Sequence, residues 1–132
     1  MLARDTFCPI NTQNTAFHRD MLPCYYYVLM GARIQGAPLD RYGDIWSGFF
    51  AKRVVDHMGD RATVGRPVAR HIRNIHNLLN DLRVELWGMI LTDHLAPFLE
   101  SVDLKGDTYS DAYYDLATKL GQADLYPDED VK

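Results

Sequence analysis

Asp40-Arg41-Tyr42-Gly43-Asp44-Ile45-Trp46-Ser47-Gly48 packs two carboxylates, a guanidinium, a phenol, an indole and two glycines into nine residues. An amphipathic helix is expected to open here, because Trp46, Phe49, Phe50, Val54 and Met58 recur at helical spacing. It should run from about Asp40 to Met58 and stop at Gly59. Gly43 and Gly48 let another group approach the backbone closely. Asp44 has two readings. It is either a working carboxylate in a pocket or a residue that accepts free amides and opposes the helix dipole. On composition alone the capping reading comes first.

Upstream, residues 1–20 lack helical periodicity. Phe7-Cys8-Pro9-Ile10 and Asn14-Thr15-Ala16-Phe17 read as short extended pieces around the turn Asn11-Thr12-Gln13. Such strands are marginal alone and need a neighbour. Met21 to Met30 is densely apolar around Tyr25-Tyr26-Tyr27 and is expected to be a helix ending near Gly31, with a loop over 31–39.

Downstream, Arg61-Ala62-Thr63-Val64-Gly65 reads as a short strand and Arg66-Pro67 as a break. From Arg70 the positions Ile72, Ile75, Leu79, Leu82, Leu86 and Met89 alternate spacings of three and four, the pattern of a long helix packing one face on another. Pro97 should end or kink it. The last helix carries Tyr109, Ala112, Tyr113, Leu116, Ala117 and Leu120 on one face, with Thr108 or Asp107 as cap and Gly121 as close. These elements make an α+β chain, predominantly helical, with one domain over 1–121 and an acidic tail, 122–132, expected to fray.

Composition narrows the function. Hydrophobic residues make up 47% and charged residues 24%, ordinary for a globular chain, and the net charge of −4 disfavours bulk nucleic-acid binding. Cys8 and Cys24 match no zinc or redox spacing and read as free thiols of a reducing compartment. Neither an apolar run of spanning length nor a cationic-then-apolar leader is present, so a soluble, cytoplasmic protein is expected.

Arg61, Arg66, Arg70, His71 and Arg73, with His76 just after, gather cations at an expected helix start, where they oppose the macrodipole. A bound anion would benefit from them and from the free amides; a solvated basic face is the plainer alternative. His71 and His76 are five apart, not the four that sets two ligands on one helical face. Trp46 and Trp87 read first as core anchors. No Ser-His-Asp order, P-loop, dinucleotide fingerprint or CxxC is present.

Several of these pieces together resemble the reversibly glycosylated polypeptides, which include the plant UDP-arabinopyranose mutases. The resemblance runs through Asn14-x-Ala16-Phe17-x-Arg19, Leu29-Met30-Gly31, Arg41-Tyr42-Gly43-Asp44-Ile45-Trp46-Ser47-Gly48, Asp56-His57-Met58-Gly59, Gly65-x-Pro67, His71, Arg73, Asn80 and Pro97-Phe98. It covers roughly residues 7–120. It implies the acceptor-side, carboxyl-terminal half of a nucleotide-sugar glycosyltransferase fold, without the Rossmann-like half that holds the nucleotide. By that resemblance Asp44 is the catalytic carboxylate at the sugar or acceptor pocket, walled by Trp46. Asn14, Arg19 and Arg41 line the substrate site, and His71 and Arg73 lie by the diphosphate, with His71 able to reach a metal.

Two departures accompany it. Gly43 replaces the first of the family's paired acids, and no Asp-x-Asp metal motif or glycosylated arginine lies within these residues. The expectation is therefore a mutase-like unit that holds no cofactor alone. It would use Mn²⁺ or Mg²⁺ and a UDP-sugar only when a separate nucleotide-binding half completes it. Two other classes stay open: a non-catalytic module that self-associates through the Ile72–Met89 face, and a small anion- or RNA-binding protein using the Arg61–Arg73 cluster.

Overall fold

The computed structural model describes residues 1–125 except 11–13, 26–27, 29–30, 32, 35–36, 39–40 and 73. The elements, in order, are a 3-10 helix (Arg19–Tyr25), two-residue strands β1 (Arg33–Ile34) and β2 (Ala37–Pro38), and helices α1 (Gly43–His57), α2 (Leu78–Ser101) and α3 (Tyr109–Gln122). The chain is predominantly helical. The strands pair antiparallel, Arg33 opposite Pro38 and Ile34 opposite Ala37, within a stretch expected to be loop. The extended pieces at 7–10 and 14–17 and the strand at 61–65 do not form among the described residues. Isolated extended segments lack the ladder partners that would stabilise them.

α1 forms over Gly43–His57, inside the expected span, but Tyr42 is its N-cap and no side chain caps it, so neither expected acid takes that place. Trp46, Phe50 and Val54 are buried, and Gly59 at φ +80° ends the helix in the left-handed region. Its two glycines admit other parts of the same chain. A Cβ on Gly43 would stand 2.6 Å from the carbonyl oxygen of Val28, and one on Gly48 would stand 2.4 Å from the amide nitrogen of Ile10.

The expected helix over 21–30 is instead a 3-10 turn as far as it is described. Pro23 lies inside it, and a proline has no amide for the α ladder. Met21 and Cys24 are buried under it; Tyr26, Tyr27, Leu29 and Met30 lie outside the described residues.

α2 starts later than expected. The side chain of Asn77 accepts hydrogen bonds from the amides of Leu79 and Asn80, so the helix opens at Leu78, and residues 60–77 have no regular structure where described. Pro97 does not end α2, which runs on to Ser101. The bond it forfeits would reach the carbonyl of residue 93, and both positions are exposed, where the helix tolerates its loss best. Leu91, Leu95 and Leu99 face the core. α3 begins at its Thr108 cap, whose Oγ1 accepts from the amide of Asp111 at 3.2 Å. Tyr109, Ala112 and Leu116 are its buried face.

α1 packs against α3, the 3-10 turn and α2, and β2 lies on α2. Leu125 is also buried, which pins the start of the segment expected to fray. One charged pair sits inside. Lys52 donates to Asp56 four residues on and to the carbonyl of Ala3 at 3.1 Å, while the amide of Asp5 donates to the same Asp56 oxygen at 3.1 Å. The first five residues thus roof a buried ion pair. Among the described residues no helix is long and apolar enough to cross a membrane.

Candidate functional site

Polar groups gather at both ends of α1. At its start, Arg41 and Asp44 flank Tyr42 and Gly43. Asp44 is exposed in the first turn, where its Oδ1 accepts from the amide of Ile45 at 2.9 Å. The helix N-terminus favours the carboxylate charge there. Arg41 is committed to acids of α2, with Nη1 2.5 Å from Asp81 Oδ1 and Nε 3.8 Å from Glu85. His76 reaches Asp81 from the other side at 3.4 Å. The Tyr42 phenol is pushed up by burial and by the charge of Glu85 and, further down, Asp93, against a lowering hydrogen bond to Thr92.

Trp46 has no exposed surface. Its indole N–H donates to Thr92 Oγ1 at 2.9 Å, Thr92 in turn bonds the carbonyl of Gly88, and the ring meets Phe50 edge-on at 6.2 Å. The indole expected to wall a pocket therefore lies in the core, its one polar atom satisfied internally. Large rings with a satisfied N–H stabilise a core most when wholly enclosed.

The far end of α1 borders a cavity of about 540 Å³. Phe17 and Tyr25 stack on its wall with ring centroids 4.2 Å apart. Asp60 and Arg61, just past Gly59, Tyr109 from the start of α3, and Thr15, His18 and Thr63 supply the polar lining. The Tyr109 hydroxyl donates to Asp60 Oδ2. Its phenol is driven above the ordinary tyrosine range, first by burial and then by that bond. An aromatic face beside a carboxylate, a phenol and a guanidinium suits a polar ring-shaped ligand. Asp60 and Tyr109 were not singled out from the sequence. They are 49 residues apart and share no motif.

The anticipated residues divide between these places. Asn14 is exposed beside the Thr15-Ala16-Phe17 wall of the cavity, and Arg19 is exposed against Asp20 at 3.6 Å. Asp44 is at the opposite end of α1, ~20 Å away by helical rise. His71 is exposed on the irregular strap between α1 and α2, and Arg73 lies outside the described residues. Arg61, Arg66 and Arg70 lie well ahead of the α2 start at Leu78, too far along the chain for its macrodipole to bear on them. Among the described residues no three His, Cys, Asp or Glu side chains group to hold a metal ion.

Comparison with known proteins agrees with the motif at α1. A family profile described as reversibly glycosylated polypeptide matches residues 1–127. The chain is 33% identical to UDP-arabinopyranose mutase 3 of Arabidopsis thaliana, over 95% of this chain and 35% of that protein. It is 32% identical to UDP-arabinopyranose mutase 1 of Oryza sativa subsp. japonica, over 93% of this chain and 35% of that one. Probable UDP-arabinopyranose mutase 4 of Arabidopsis thaliana is 32% identical over 89% and 33%. The chain spans about a third of the length of these curated relatives.

Proposed function

The chain belongs to the reversibly glycosylated polypeptide family, and from that premise we propose that it is the sugar- and acceptor-side unit of a UDP-sugar mutase or glycosyltransferase. On this reading it is not active by itself. The observation that carries the reading is the near-complete match of this chain to a third of each UDP-arabinopyranose mutase. The chemistry is transfer or ring isomerisation of a UDP-linked pentose. The nucleotide and its divalent cation are bound by residues outside this stretch.

Within this chain Asp44 is the working carboxylate. It is solvent-accessible in the first turn of α1 and accepts a hydrogen bond from the amide of Ile45. Such a group orients sugar hydroxyls or accepts a proton from one. His71 and Arg73 hold the diphosphate, and Arg41, tied to Asp81 and Glu85, fixes the loop that presents Asp44. Half of a site stabilises little of the charge that develops on a departing diphosphate.

The test is NMR titration of the labelled chain with UDP-arabinopyranose to millimolar concentration, with and without Mn²⁺, alongside a turnover assay. Amides of the first turn of α1 are expected to shift, the shifts to be lost in Asp44→Ala and weakened in His71→Ala, and turnover to be nil. Silence of those amides, or turnover by the chain alone, overturns the reading.

A further inference from the structure

We infer that the cavity at the far end of α1 is a binding site for a zwitterionic aromatic amino acid, a ligand outside sugar chemistry. Its volume of about 540 Å³ falls within the roughly 300–1,000 Å³ usual for small-molecule sites. Met21, Val55 and Tyr109 are its buried apolar lining. Phe17 stacks on Tyr25 at 4.2 Å and keeps 41% of its own surface exposed, so a planar ring from outside can extend the stack.

The polar groups select the head of the ligand. Asp60 and Arg61 are consecutive, exposed and of opposite charge, and both line the cavity. The guanidinium curls back on its neighbour's backbone, Nη1 donating to the Asp60 carbonyl at 3.3 Å. Among the described residues no carboxylate forms an ion pair with it, that of Asp60 included. The Asp60 carboxylate takes the Tyr109 hydroxyl on Oδ2 and has Oδ1 to spare. An anion and a cation are thus held side by side without neutralising each other. A ligand of one charge would satisfy one of them and oppose the other. An α-ammonium on Asp60 and an α-carboxylate on Arg61 satisfy both, each through a charge-assisted hydrogen bond. The carbonyl end of α1, which closes just before Asp60, carries partial negative charge and favours the ammonium on that side. A neutral polyol would displace water from both charges and compensate neither. The cavity lies at the other end of α1 from Asp44, so the assignment stands apart from the sugar reading.

NMR titration of the labelled full chain with L-tryptophan, up to millimolar concentration, tests it at the amides of Asp60, Arg61 and Ala62. Those amides are expected to shift and to saturate. Tryptamine, which lacks the carboxylate, and indole-3-propionate, which lacks the ammonium, should each bind about tenfold more weakly. In Arg61→Gln, an exposed site whose change should leave circular dichroism intact, tryptophan should fall to the affinity of tryptamine while tryptamine holds its own. Methyl arabinopyranoside should leave the three amides unmoved. Silent amides, equal affinity for the three indoles, an Arg61→Gln chain that still prefers tryptophan, or shifts caused by the glycoside each overturns the proposal.

Discussion

Tyr42 lies across Gly88 so closely that a Cβ on that glycine would fall 2.2 Å from the tyrosine ring carbon Cγ. This contact docks the start of α1 onto the middle of α2, and beside it Arg41 reaches Asp81. Gly88→Ala should therefore destabilise the fold by about 1–3 kcal/mol, overpacking outweighing the gain in helix propensity. Gly121→Ala, in open space on α3, should instead stabilise by about 0.5–1 kcal/mol. Urea denaturation of the two variants checks both signs.

Lys52 and Asp56 are enclosed together, with side chains 1 and 3% exposed. Lys52→Met leaves the carboxylate buried without its cation and should cost about 3–5 kcal/mol. Lys52→Met/Asp56→Leu removes both charges and should recover part of that loss. Hydrogen exchange at Asp5, whose amide bonds Asp56, should accelerate in both, and a slow Asp5 amide in either would disprove the roof.

Burial pushes the Cys24 thiol up to about 12 from 9.0. A group whose folded value lies above its unfolded one favours the fold below pH 9, and that contribution is lost as pH rises from 9 towards 12. At pH 8 a thiol-reactive disulfide reagent should label half-buried Cys8 and spare Cys24 until the chain unfolds. Labelling both at equal rates in native buffer contradicts this.

The nine residues opening α1 should separate by what they do. Asp44→Ala removes one local bond and a dipole contact and should cost at most about 1 kcal/mol. Trp46→Ala empties a fully buried site and should cost about 3–5 kcal/mol. Thermal melts of both variants, with the UDP-sugar titration repeated on Asp44→Ala, distinguish a chemical role from a packing one.

Tyr109→Phe removes the donor to Asp60 at the cavity and should cost roughly 1–2 kcal/mol. The native phenol is held above its unfolded value, so its contribution is complete below about pH 10 and is lost as pH rises through the folded value. In Tyr109→Phe the alkaline loss of stability should flatten, which denaturant titrations from pH 8 to 11 would register.

Local chemistry was legible in the sequence and distant pairing was not. α3 was readable because its Thr108 cap and its Tyr109, Ala112 and Leu116 face agree. α1 was readable from its Trp46, Phe50 and Val54 face and its Gly59 stop, although no side chain caps its start. The start of α2 misled because its apolar spacing continues upstream to Ile72, whereas Asn77 supplies the cap and the helix opens there. Lys52 and Asp56, four apart on a helix, look like an ordinary surface pair until residues 3–5 close over them. The Asp60–Tyr109 bond joins residues that no periodicity relates. The sequence placed Asp44 at the opening of α1, whereas nothing in it foreshadowed the cavity at the helix's other end.

Gly48 has an evolutionary consequence. Its missing side chain is the space through which the backbone at Ile10 passes, so any lineage that keeps this architecture must keep that glycine, whatever becomes of its enzymology. Trp46, wholly enclosed, is constrained by packing as well. A descendant could lose Asp44, exposed two residues ahead of that tryptophan, and still display most of the motif.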